Sequence, residues 1–386
     1  MDSLVCVLAD LSHPQAAKMA KLVLRARWRR ALSKLRALQI AQGGQQAICR
    51  MIDECLVRDL FSVAHPVLTC LEFNLGKGAA LPSEVLLNFA ILATLLGAKA
   101  EWSITLEKKI NLICDEYTFF EVISGCSTAT NEENVLVFFR FSGAISRFSI
   151  GAKSSGEQDI LKDGLAFKAP TIMLGGVKAI ITPEKFLPED ILEMSKSSDF
   201  VVSSDGGSQC SINKLNSSAK VLGESASSFV PAVSIALSHI GILYDTSGHR
   251  IMSVSSARHL GVAALTVDCN PYLTGELLVH EASHQFFNIL SWTSRFETVD
   301  DREVVYSALA GRMRPASRAL LAYHALVNIV LYYEGCLKFD SASGCMCDSR
   351  LDLAYDGIAK MDSSFSSANN LSRQTTELWK ALRDVL

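Results

Sequence analysis

The chain has 386 residues, 49% of them hydrophobic and 20% charged, with a formal net charge of -3. That length can bury a large core, in two domains or one elaborate one. The near-neutral balance excludes a dedicated nucleic-acid binder.

The first ten residues lack the charged-then-apolar layout of a signal peptide. The 11 cysteines are scattered, so they read as reduced thiols in a cytoplasm. Cys345-Met346-Cys347 is too tight for a Cys-x-x-Cys site and reads as a loop thiol pair. To about Leu112 the chain reads as helical, and residues 1–120 form the expected helical N-terminal region. His13-Pro14 opens a long amphipathic helix. It carries Lys18, Lys21, Arg25, Arg27, Arg29, Arg30, Lys34 and Arg36, with no acidic residue between Gln15 and Met51. Its basic face is either solvated or a dock for an acidic partner. Gly43-Gly44 breaks it, and a second helix runs to about Cys70. Leu81-Pro82-Ser83-Glu84 has the proline and acid that suit a first turn. Residues 85–98 are apolar but too short to span a membrane, and Asn88 interrupts them.

Residues 121–268 change character. Segment 134–141 is β-branched and aromatic and reads as a strand. Shorter strands are expected at 171–173, 178–181, 200–202 and 242–244. Segments 154–164 and 203–218 are rich in Ser, Gly, Asn and Asp and read as loops. A helix is expected over 183–194. Residues 262–267 form a strand that Asp268-Cys269-Asn270-Pro271 ends.

From Thr274 the chain returns to helix, with an N-cap expected near Thr274. The fold class is therefore α+β: a helical N-terminal region, a mixed central strand region, and a helical C-terminal region. The last two form one mixed catalytic region over 121–386, in which a strand precedes the helix with the central motif. That motif is His280-Glu281-Ala282-Ser283-His284. Positions i and i+4 share a helix face, so both imidazoles can reach one cation. Glu281 is close enough to be a base, an orienter or a ligand. Residues 292–301 read as an irregular connection and 302–310 as helix. Residues 311–315 read as a break, with Pro315 suited to open the next helix. That helix carries His324 on an otherwise apolar stretch, 319–333, which reads as buried. Residues 341–347 read as a loop, and the tail from Leu351 as a peripheral helix.

Two histidines do not complete a metal site, since catalytic zinc and non-haem iron both take three protein ligands. Glu297, Glu303, His324 and Glu334 lie downstream. His324 is the best of them, because a buried imidazole needs a partner. By helical phase Ser317 and Asn328 share its face and could support it from behind. His65, His239, His249 and His259 read as structural or surface, with His259 a candidate for lining the cleft. Arg312, Arg314 and Arg318 form a basic cluster suited to clamping a carboxylate, Arg314 foremost, then Arg312. A zinc peptidase would use Glu281 to activate water. Neither common peptidase pattern is complete, however: no Glu-x-x-x-Asp follows, and no His-x-x-Gly-x-x-His.

The stretch from Leu277 to Glu334 does resemble a known family. It reads Leu-Leu-Val-His-Glu-Ala-Ser-His-Gln, then Arg-Pro, then Ala-Tyr-His-Ala-Leu-Val-Asn-Ile-Val-Leu-Tyr-Tyr. This is similar to the 2-oxoglutarate-dependent HExxH-type peptide β-hydroxylases, peptide-modification proteins found with ribosomally made peptide natural products. The resemblance implies a cytoplasmic dioxygenase with iron(II) on His280, His284 and His324, and 2-oxoglutarate held by an arginine. It also implies molecular oxygen and a precursor peptide as co-substrates, with neither nucleic acid nor membrane as partner. The alternatives are a zinc metallopeptidase and a catalytically inactive peptide-binding module. Oligomeric state is not legible in the sequence.

Overall fold

The computed structural model describes residues 4–42, 44–61, 64–77, 81–113, 118–130, 135–141, 144–150, 166–245, 250–267, 270–294, 303–339 and 344–386. Five helices come first: α1 (Leu4–Ala9), α2 (Ala16–Ala41), α3 (Gln46–Arg58), α4 (Pro66–Gly76) and α5 (Ser83–Leu95). Helix α2 buries Ala20, Leu24, Trp28, Ala31, Leu32 and Leu35 at helical spacing. Much of its basic face is answered within the chain. Arg27 meets Glu72 at 2.5 Å, Arg36 pairs with Asp53, and Arg25 and Arg29 reach Asp59 at 3.4 and 3.3 Å. The acidic partner considered for this face is thus supplied in large part by α3, its C-terminal cap and α4. The helix expected to run to Cys70 is two helices, split at His65-Pro66. There the His65 Nδ1 accepts from Val67 N at 3.2 Å and proline takes the first turn.

Strand structure begins at Ser103, earlier than the helical reading to about Leu112. Ile104 and Leu106 are buried on alternate positions, a period of two rather than 3.6. The first sheet is an antiparallel meander of β1 (Ser103–Ile113), β2 (Thr118–Thr130), β3 (Val135–Phe141) and β4 (Ala144–Ile150), with β5 (Ala166–Lys168) also on β2. Segment 154–164, read as a loop, lies outside the described residues.

The second sheet contains β6 (Thr171–Leu174), β7 (Val177–Ile181), β8 (Phe200–Val202), β9 (Leu237–Asp245), β10 (Ser253–Ser255) and β11 (Gly261–Thr266). Its order is β10-β11-β9-β7-β6, with β8 on β9. Strand β9 runs parallel to β7 and β11. The intervening helices are α6 (Glu189–Lys196), α7 (Gln209–Ser225) and α8 (Val230–Ala236). Both faces of β11 are buried: Val262 and Ala264 pack with Ile191 of α6, while Ala263 and Leu265 join the main core. The polar stretch read as a loop over 203–218 is helical from Gln209. Ser208 Oγ accepts from Ser211 N at 3.2 Å, and Ile212, Leu215, Ala219 and Leu222 form a buried stripe beneath the polar residues.

The rest is α9 (Pro271–Ser294), β12 (Val304–Ser307), β13 (Arg312–Pro315), α10 (Ala316–Phe339), α11 (Gly344–Ser367) and α12 (Arg373–Val385). The helix expected over 302–310 and the break after it are instead mainly a hairpin. Val304 and Val305 pair with Pro315 and Arg314, and Gly311 supplies the left-handed turn at φ 63°. Helix α10 is long and apolar enough to cross a membrane by length and composition, but 72% of its most apolar window is buried inside the protein. It is a core helix. The tail is not peripheral, because Cys347, Ile358, Met361, Phe365, Leu378 and Leu382 enter the same core as Trp28 of α2 and Phe286 of α9.

Candidate metal centre

Helix α9 starts at Pro271, three residues before the expected cap. Asn270 takes that role, its Oδ1 accepting from Tyr272 N at 2.9 Å. Gly275 then lets α9 approach α10, since a Cβ there would collide with the Tyr332 hydroxyl. Tyr332 Oη donates to Tyr272 O at 3.1 Å across the same contact. Further along, Gln285 Oε1 accepts from Gly261 N at 3.3 Å, which ties the motif to the start of β11.

On this helix the imidazoles of His280 and His284 meet edge to face, with ring centroids 4.4 Å apart. One donor atom from each of His280, Glu281 and His284 falls within 4.8 Å of the others. Glu281 is buried, with Oε1 3.8 Å from His280 Nε2. Its Oε2 and the Nδ1 of His284 are buried without a hydrogen-bond partner among the described residues. Burial, then His280, then His324, hold His284 well below the ordinary imidazole value, so it stays neutral with a lone pair to offer. Two imidazoles beside a carboxylate with an orphaned oxygen are a donor set that fits a divalent cation.

His324 is fully buried but does not belong to that cluster. Its Nε2 faces Leu8 O at 3.3 Å, and its ring lies against Phe287. Asn328, one turn on, donates to Ala9 O at 3.0 Å and accepts from Leu11 N at 2.9 Å. The physical reason is the end of α1: its last carbonyls have no partner within the helix, and His324 and Asn328 supply the donors. The His324 Nδ1 remains without a partner among the described residues. Burial pushes this histidine down to about 4.

A cavity of about 580 Å³ opens beside the motif. His280 and His284 form one wall, while Arg314 and Arg318 face it from β13 and the first turn of α10. Leu321, Leu326 and Ile329 of α10 line its apolar depth, and Ile251, Leu309 and Leu353 line it where they are exposed to solvent. Arg312, the second choice for an anion clamp, is exposed and does not line the cavity. Arg318, ranked below it, does. Ser317 is buried and stands off the cavity, as do Glu281 and Asn328.

Of the other candidates, Glu303 accepts from Asn369 N at 3.3 Å and Glu334 from Tyr355 Oη at 2.7 Å, both away from the motif. Glu297 and His249 lie outside the described residues. His259 pairs with Asp190 at 3.4 Å and does not line the cavity.

Two charged residues that line the cavity, Glu276 and Arg350, are not among the sequence-based candidates. Glu276 lies four residues before His280, so reading the period backwards from the motif would have found it. Its carboxylate is buried and accepts from Tyr333 Oη at 2.5 Å and Arg350 Nε at 2.8 Å. Burial, then Glu276, push the Tyr333 phenol far up, so it remains a donor. Arg350 comes from α11 and gave no local signal.

The fold and site together define an α+β protein with a two-histidine, one-carboxylate candidate metal centre facing two arginines across a cavity. No protein-family model matches the chain, and comparison with curated proteins likewise finds no match.

Proposed function

We propose that the protein is an iron(II)- and 2-oxoglutarate-dependent hydroxylase, acting on a side-chain β-carbon of a ribosomally made precursor peptide. The observation that carries this reading is that Arg314 and Arg318 share one cavity with His280 and His284. Two histidines and a carboxylate with open positions are the donor set of non-haem iron oxygenases. Here His280, His284 and Glu281 would hold the ion. When bound, iron(II) supplies a site where a 2-oxo acid and oxygen are activated together to oxidise a C–H bond.

The chain's own residues do the rest. Arg314, assisted by Arg318, binds the far carboxylate of 2-oxoglutarate through paired N–H donors. Leu321, Leu326 and Ile329 keep water from the reacting atoms. Glu281 is buried, and its Oε2 has no hydrogen-bond partner among the described residues, as suits a ligand to the ion. Glu303 and Glu334, the described carboxylates that a zinc peptidase would take as its third ligand, are engaged elsewhere.

The test is succinate formation from 2-oxoglutarate and oxygen by the iron-loaded protein, with a +16 mass change on the precursor peptide. Arg314→Ala should raise the KM for 2-oxoglutarate by about 10- to 100-fold, the worth of a charged hydrogen bond. Peptide cleavage without 2-oxoglutarate would overturn the reading in favour of a zinc peptidase. Metal binding without turnover would favour an inactive peptide-binding module.

A further inference from the structure

Strand β10 ends the second sheet, and among the described residues its strand partner is β11 alone. The register fixes which backbone groups that pairing uses. Thr266 N donates to Met252 O at 2.9 Å, and Met252 N donates to Thr266 Oγ1 at 3.0 Å. This pair lies one step beyond Ser253↔Leu265. Bonded and non-bonded pairs alternate along an antiparallel ladder, so Val254↔Ala264 is bonded, while Ser253↔Leu265 and Ser255↔Ala263 are not. The N–H and C=O of Ser253 and Ser255 therefore point away from β11, out of the sheet edge. Ser253 also lines the cavity that holds His280 and His284.

Two outward donor–acceptor pairs, two residues apart, complement an extended backbone rather than a helix or a small compact ligand. Apart from being short, Ser253-Val254-Ser255 carries none of the lysines, prolines or bulges that guard an edge strand. Ile251, Leu309 and Leu353 add three solvent-exposed apolar side chains along the same cavity, a surface for apolar side chains of whatever lies there. We infer that β10 receives a peptide as an added antiparallel strand, with its backbone paired to Ser253 and Ser255 and one of its side chains over His280 and His284. This rests on the reading of the substrate as a peptide and adds the way it is held.

The probe is a random dodecapeptide library passed over the iron-free protein, followed by synthesis of the best-retained sequence with single backbone N-methyl groups. Methylating the residue opposite Ser253 should weaken binding about tenfold, as should methylating the residue two further on, while the residue between tolerates it. Ser253→Pro removes the outward N–H without touching the bonds to β11, so the fold survives and retention should fall about tenfold. Retention of no peptide overturns the inference, as does tolerance of N-methylation at every position or wild-type binding by the folded Ser253→Pro protein. Succinate formation reads the proposed reaction separately. Turnover without the alternating pattern removes only the docking mode, and the alternating pattern without turnover removes only the reaction.

Discussion

Arg350 holds the Glu276 carboxylate, with its Nε 2.8 Å from Oε2, one helical turn before His280. Its Nη2 meets the other carboxylate oxygen, so the contact is two-pronged. The pair joins α11 to α9 at the cavity wall, and Tyr333 completes it from α10. Glu276 is 5% exposed, so removing its partner strands a buried charge. Arg350→Met should cost about 3 kcal/mol, read as a lower urea midpoint at unchanged slope. The double variant Glu276→Gln/Arg350→Met should recover most of that loss. Additive losses in the cycle would show that the two residues are not coupled.

On the proposed function the third protein ligand of the iron would be Glu281 rather than His324. Iron measured after anaerobic loading should fall well below one equivalent in Glu281→Gln. It should stay near one equivalent in His324→Ala, which instead loses stability because Leu8 O is left without its donor. Iron lost in His324→Ala and kept in Glu281→Gln would restore His324 as the ligand.

Acid should destabilise the protein through a histidine pair outside the candidate metal centre. His65 is lowered to about 3, by burial and then His239, and His239 is lowered to about 4 by burial. Their rings meet edge to face at 5.6 Å. Between these values and the ordinary value of 6.5 the unfolded chain binds more protons than the folded one. Stability is therefore full above about pH 6.5 and falls as pH drops toward 4, by up to about 1.4 kcal/mol per pH unit for each histidine. His239→Gln should flatten that slope in urea titrations run from pH 4 to 8. A slope unchanged in the variant would assign the acid sensitivity to other groups.

What could be read in the sequence was what neighbours along the chain determine. The strand before the motif, the spacing of His280 and His284, and the burial of the His324 helix all follow from local pattern. The α+β class follows from the same signals. The β12 strand reads as helix in the sequence because its partner β13 lies beyond a turn, and a pairing has no signature within either half. Ser and Asn on the outer face of α7 give the segment a loop-like composition that masks the stripe of Ile212, Leu215, Ala219 and Leu222 beneath them. Helical phase places His324 and Asn328 on one face, but the contact of that face with α1 depends on residues at the other end of the chain. Arg350 was out of reach for the same reason, standing 74 positions from Glu276.

The contact between His324 and Leu8 spans 316 positions, so the end of α1 waits for a residue made more than three hundred steps later. During synthesis that helix terminus must stay hydrated or borrow other partners until α10 has emerged. Docking of α1 onto α10 is therefore a late event of maturation, with the loop closure and slow assembly that long-range contacts bring. A nascent chain interrupted before residue 324 would leave the last carbonyls of α1 without the donors that His324 and Asn328 supply.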